Sequence, residues 1–512
     1  MVGRSVWLLL CLVAVAGLRE QEASSKKGRN LVSEYGFYHT TDQIHEELKA
    51  LSHSCPELSM KTESRPSPSS DSDDLVVLID FIRIKRKGKE PAQNRAFFLF
   101  GEHARELISP ESALHFIRTL CGKEKDLRNE ASALLDTTEF LIVANANPIS
   151  RKKVEEGEYC LRGNEREVDL NRNWDEEWQP DDGSAMSAET NPGPSPFSEV
   201  ETQILRDAVD DFRPSLFLTI HSGTLGMYMP WAYSRSEAVR NQAGMLDVLQ
   251  DLDDKYCQCP FGAAGKEVGY NCPGTCLDYV YDKLKTPFAF AFEIYAQPSS
   301  EDDLKERWRE LKSESPNEAL NQLGDERFSS LFSHHQSDFV LLSSSTKKQH
   351  MKMQAGNREE LQSQSKSSVA IRAHRKEGKL DLSEPSECFS FFNPQSETEL
   401  AESLQKWTQA YLRMTSLVAA RLKKKESKAE KGEDTEDRQQ QQVAPALLSI
   451  PSASSSNHLK RGAAVGGDTT VGRTQHLDSR VASQEHKAEG GHGSSRQVPV
   501  SLHSAGNGGG PH

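Results

Sequence analysis

Beyond Val15 the sequence has no apolar run long enough to cross a bilayer, no surplus of positive charge and no Asn-x-Ser/Thr acceptor. The first absence excludes a helical membrane span in the body of the chain. The second, a net charge of −14, argues against a nucleic-acid partner held by phosphate neutralisation. The third removes the expectation of N-linked glycans. Apolar residues are themselves scarce at 36% and unevenly spread. They gather between Tyr38 and Leu422 and thin out afterwards, so 512 residues read as one large domain with added segments.

What is present begins with an address. Arg4 precedes the apolar run Val6–Val15, and Ala14-Val15-Ala16 supplies small residues for cleavage. Residues 1–17 read as a signal peptide, too short to anchor. They direct the chain to the secretory pathway, extracellular or vacuole-like, with no integral membrane segment after removal. Of nine cysteines, Cys11 leaves with that segment. Cys55, Cys121, Cys160, Cys257, Cys259, Cys272, Cys276 and Cys388 stay, an even set suited to disulfides of undetermined connectivity. Cys257-x-Cys259 and Cys272-x3-Cys276 have metal-like spacing, but no His-rich partner sits beside them, which favours disulfides there too.

After a flexible lead-in over 18–37, apolar strands alternate with helical stretches. LVVLIDFIRI (75–84), AFFLF (96–100), FLIVA (140–144), SLFLTI (215–220) and the Phe288/Phe290/Phe292 alternation read as strands. Ser109-Pro110-Glu111 predicts a helix start with Ser109 as cap. The pattern implies an α/β domain over 38–422, with a mixed, mostly parallel central sheet covered by helices on both faces. Residues 298–387 read as a low-complexity, solvated insertion whose 301–312 part is charged and helical. Order returns at Cys388; Ser396-x-x-Glu399 is a capping-box pattern opening a final helix. Residues 423–512 read as a disordered tail.

Chemistry gathers where strands end. His103-Ala-Arg-Glu106 directly follows AFFLF, a spacing that lets two side chains grip one metal from the same side. The spacing alone is weak, since His374-x-x-Glu377 and His486-x-x-Glu489 repeat it in polar, unpatterned sequence. His221 closes SLFLTI and offers a third ligand, leaving a position open for water. Glu293 closes the FAFAF strand, where a carboxylate is costly without a partner or a task, such as a general base. Arg162, Asn171 and Arg172 lie in a charged stretch ending Asp-Leu-Asn-Arg-Asn-Trp, read either as a solvated loop or as a means of gripping a carboxylate.

In this order and at these intervals, the set resembles the carboxypeptidase A/B-like zinc metallocarboxypeptidases. The resemblance covers about Tyr38 to Gln297 and the closing helix from Cys388 to Leu422. It implies one Zn2+ per chain held by His103, Glu106 and His221, with Glu293 as catalytic base. Arg162 would face the oxyanion, and Asn171 and Arg172 would clamp the terminal carboxylate of a peptide. Tyr270 would close over the substrate, at the cost of a one-residue insertion before Glu293. Arg105 matches an auxiliary arginine along the substrate path, and Leu277 the base of the pocket for the departing side chain. Leucine there, with Ala232 nearby, suggests apolar or aromatic C-terminal residues.

The chain is expected to be a monomeric exopeptidase acting on peptide or protein C-termini. It leaves no room for an inhibitory prodomain after the signal, and nothing after Leu422 reads as a β-rich domain. Two other readings stand beside it. One is a zinc amidase for γ-glutamyl or other non-standard linkages. The other is a catalytically silent peptide-binding relative, which would be marked by loss of a ligand or of the base.

Overall fold

The computed structural model describes residues 30–67, 75–88, 92, 94–181, 189–236, 238–314 and 385–430. An eight-stranded sheet runs in the order β1-β2-β4-β3-β5-β8-β6-β7. Its strands are β1 (Leu58–Pro66), β2 (Val76–Ile84), β3 (Asn94–Phe100), β4 (Thr138–Val143), β5 (Leu216–His221), β6 (Leu225–Met229), β7 (Phe261–Ala263) and β8 (Phe288–Ile294). The middle strands β4, β3, β5 and β8 run parallel to one another, as do β6 and β7, whereas β1/β2, β2/β4 and β6/β8 pair antiparallel.

A parallel strand covered on both faces must be apolar along its whole length. Adjacent residues of β3 show how that is met. Phe98 packs against Phe116 and Tyr411, from the helices Ile108–Leu120 and Glu397–Glu430. Phe97, pointing the other way, meets Phe212 of the helix Val200–Phe212. The sheet is thus sandwiched between helices, as the sequence pattern implies.

The edges of the domain differ from the sequence reading. Within the lead-in assigned to 18–37, Leu31–Glu34 is a helical turn capped by Asn30, and Tyr35 stacks on Phe389 with ring centroids 3.6 Å apart. The insertion assigned to 298–387 opens with a helix, Pro298–Glu314, that is held to the domain along one side while its other side faces solvent. Trp308 is its anchor. The indole is buried against Phe261, and Nε1–H donates to Asp253 at 3.0 Å. The final helix extends to Glu430, past the boundary drawn at 422. Its start carries half of the capping box. Ser396 accepts from the Glu399 N–H at 3.2 Å, while the Glu399 carboxylate takes the Gln395 N–H at 3.1 Å. The signal peptide at 1–17, the bulk of the insertion and the tail beyond 430 lie outside the described residues.

Among the described residues three disulfides join Cys55–Cys121, Cys160–Cys388 and Cys257–Cys259. Cys272 and Cys276, expected to be oxidised, are instead buried free thiols. Ser109 is not a helix cap either. Its hydroxyl accepts from the Gly101 N–H at 3.0 Å and donates to the Ile220 carbonyl at 2.7 Å. One side chain thereby ties the end of β3 to the end of β5.

Candidate active site

The chain leaves β3 through Gly101, whose φ is +70°. A Cβ at this position would sit 3.0 Å from Pro110 Cγ and 3.1 Å from Asn145 Cα, so glycine is needed for both conformation and space. The turn brings His103 and Glu106 over the end of the sheet. His221, the last residue of β5, is paired in register with Glu293 on β8. Residues far apart in sequence therefore converge at the C-terminal edge of the parallel strands, where open α/β sheets place their sites.

His103 Nδ1 lies 2.6 Å from Glu106 Oε1 and 3.2 Å from His221 Nδ1, and His221 Nδ1 lies 3.2 Å from Glu106 Oε2. These three side chains form a group able to hold a metal, with ligand atoms within 4.8 Å of one another. Tetrahedral zinc with bonds of ~2.0–2.1 Å has ligand–ligand edges of about 3.3 Å. Two imidazoles and one carboxylate at these separations suit zinc with a fourth position left open. On its far side, His103 Nε2 meets Asp169 Oδ1 at 3.1 Å, where an outer carboxylate would orient a metal-binding imidazole.

Strong fields follow from so many buried charges. Burial raises the Asp169 pKa, but Arg162 and His103 outweigh it and hold the carboxylate well below its usual range. Glu106 is likewise held low by His103 and His221 against the cost of burial. Burial lowers the His221 pKa, yet hydrogen bonds to Glu102 and Glu106 reverse this and raise it to about 10. Glu293 goes the other way: burial, then repulsion from Glu106, pushes it up to about 8. Its Oε2 is buried without a hydrogen-bond partner.

Arg162 turns Nε and one terminal nitrogen onto Asp169 Oδ2, each at 2.9 Å, and its other terminal nitrogen stands 3.8 Å from Glu106. Asn171 Oδ1 accepts the Cys276 N–H at 3.1 Å, which leaves Nδ2 facing His221 Nε2 at 3.2 Å. Arg172 donates to the Asn171 carbonyl at 2.7 Å. Glu106, Arg162, Asn171, Arg172 and His221, with Tyr270 and Leu277, line one cavity. The Tyr270 phenol is pushed up, first by Cys272 beside it and then by burial. Leu277, Ala232, Ala264 and Val268 give the cavity an apolar end.

Arg105 is the predicted site residue that the fold keeps out of this cavity. It is 2% exposed and pairs with Glu189 at 2.9 Å. Its guanidinium carbon lies 4.2 Å from the centroid of the Phe392 ring. The structure also adds residues that the sequence reading did not assign to the site: Asp169 behind His103, and Cys272, Phe391 and Phe392 on the cavity wall. Asp169 sits inside the quoted Asp-Leu-Asn-Arg run. The two phenylalanines carry no signal of their own, because an insertion separates them from the rest.

A zinc carboxypeptidase family model matches residues 77–313. Those residues carry the likeness to the zinc carboxypeptidase family. A metallocarboxypeptidase A-like protein of Trichophyton verrucosum is 28% identical over 41% of this chain and 51% of its own length. Carboxypeptidase A2 of Mus musculus is 24% identical over 51% of this chain and 63% of its own. The chain spans about half to two thirds of the length of these two relatives. Carboxypeptidase A from Helicoverpa armigera overlaps with a TM-score of 0.43 at 20% identity, covering 62% of this chain and 81% of that one. Among the described residues no helix is long and apolar enough to cross a membrane.

Proposed function

We propose that this chain removes residues from the C-termini of peptides by zinc-assisted hydrolysis of the last peptide bond. The observation that supports this reading is the presence in one cavity of His103, Glu106 and His221 together with Glu293, Arg162 and the Asn171–Arg172 pair. Hydrolysis at any bond would need the first five residues. The fixed cation of Arg172 suits a free terminal carboxylate, and an endopeptidase substrate would offer it no partner.

When bound, zinc supplies Lewis acidity toward a carbonyl oxygen and makes water more acidic. Glu293 takes a proton from the attacking water and passes it to the departing amine nitrogen. Arg162 is held by Asp169 through one edge, so its remaining nitrogen is preorganised for developing oxyanion charge. Tyr270, kept protonated by its raised pKa, serves as a hydrogen-bond donor over the substrate. Leu277 and Ala232 favour an apolar or aromatic departing side chain, since no acidic group stands at the Leu277 position to attract Lys or Arg. The catalytic unit takes in the Leu31–Glu34 turn at one end and the helix ending at Glu430 at the other. Three disulfides among the described residues and the apolar N-terminal run support passage through an oxidising, secretory compartment.

The test is hydrolysis of N-blocked dipeptides ending in Phe, Leu, Lys or Glu, with and without a chelator. Cleavage is expected to favour Phe and Leu, to vanish on metal removal and to return with zinc. The same peptides amidated at the C-terminus should resist. Undiminished turnover after complete metal removal refutes the proposal.

A further inference from the structure

The residue before His103 is a second, unexplained carboxylate. Glu102 is 1% exposed, its Oε1 has no hydrogen-bond partner, and nothing in the reaction outlined above uses it. Its Oε2 accepts from Thr219 Oγ1 at 2.7 Å and Cys276 Sγ at 3.4 Å, and stands 3.4 Å from His221 Nε2. Thr219 Oγ1 is itself 2.9 Å from His221 Nε2.

We propose that Glu102, acting through Thr219, is the positioning residue that fixes the tautomer and orientation of His221 for metal binding. A hydroxyl has one hydrogen, and Thr219 gives it to Glu102. The Thr219 oxygen then faces His221 Nε2 with lone pairs, so Nε2 must carry the imidazole proton. In the neutral ring that a metal requires, this leaves the Nδ1 lone pair directed at His103 and Glu106, the side where a metal would sit. Asn171 Nδ2, the other neighbour of Nε2, is a donor and cannot take that proton. The result mirrors His103, whose far nitrogen meets Asp169. Each imidazole ligand thus has its own buried carboxylate, Asp169 at 3.1 Å from His103 and Glu102 both through the Thr219 hydroxyl and at 3.4 Å from His221. Such outer partners hold the ring and raise its basicity, and their removal costs roughly 10–100-fold in metal affinity.

This inference rests on the metal-site reading proposed above, and the test separates the two. The zinc dissociation constant of the full chain is measured by competition with a chromophoric chelator, alongside the visible spectrum of the Co2+-substituted protein. Glu102→Ala and Thr219→Val are expected to weaken zinc by about 10–100-fold and to shift the cobalt bands. Glu102→Gln keeps an acceptor for Thr219 and is expected to lose less than Glu102→Ala. If the wild type binds zinc and His103→Ala abolishes binding, yet both other variants stay within about twofold of wild type with unchanged spectra, the role of Glu102 is overturned alone. If wild-type zinc binding is indifferent to His103→Ala, both readings fall. Should Glu102→Ala not fold, Thr219→Val decides, because it removes the hydroxyl at nearly constant shape.

Discussion

Glu293 is a costly residue for the fold to keep, since burial and Glu106 both oppose its charge. Replacing it with Gln removes the proton carrier and leaves the ligands intact. Turnover of a blocked dipeptide should fall by about 10²–10⁴-fold while zinc content, read by elemental analysis, stays at wild-type level. Leu277→Asp tests the pocket: kcat/KM should shift from C-terminal Phe toward C-terminal Lys by at least about tenfold, provided the new carboxylate ionises beside the substrate cation. His103, Glu106, His221 and Glu293 were legible in the sequence because each stands at or just beyond the end of an apolar strand. The same rule marks Glu102, but a carboxylate adjoining a histidine motif is easily taken for part of a polar loop. The burial of Arg105 was not legible, because Glu189 and Phe392 reach it across long sequence separations.

At the scale of elements, the central strands were readable from unbroken apolar runs, and the sheet follows from them. Helices anchored by a single side chain were harder to place. Pro298–Glu314 is dominated by charge, so only its packing shows that Trp308 binds it to the domain. Trp308→Ala should destabilise the fold by about 3–5 kcal/mol in urea denaturation. A solvated segment would give a change near zero. Ser109 presents the opposite case, a residue that looks like a helix cap and serves two strand ends instead. Ser109→Ala strands a buried N–H and a buried carbonyl, and should cost about 1–3 kcal/mol by the same measurement.

For the whole molecule, stability depends on pH through contacts between distant segments. His39 Nδ1 meets the buried Glu111 at 2.8 Å, and this hydrogen bond, opposed by partial burial, raises the imidazole pKa above 6.5. A raised folded-state value means that the protonated ring stabilises the native state. That contribution is fully present below 6.5 and is lost as pH rises through the elevated value. Unfolding free energy measured against pH should therefore decline over that window in the wild type and flatten in His39→Gln. The disulfide Cys160–Cys388 spans a sequence separation of 228 residues and links the approach to Arg162 with the wall formed by Phe391 and Phe392. One further result follows from that covalent path alone. A protease cutting anywhere between Glu314 and Pro385 would yield two polypeptides that remain one molecule, with the C-terminal piece still bolted beside the catalytic cleft. Its mass would split into two species only after a reducing agent is added.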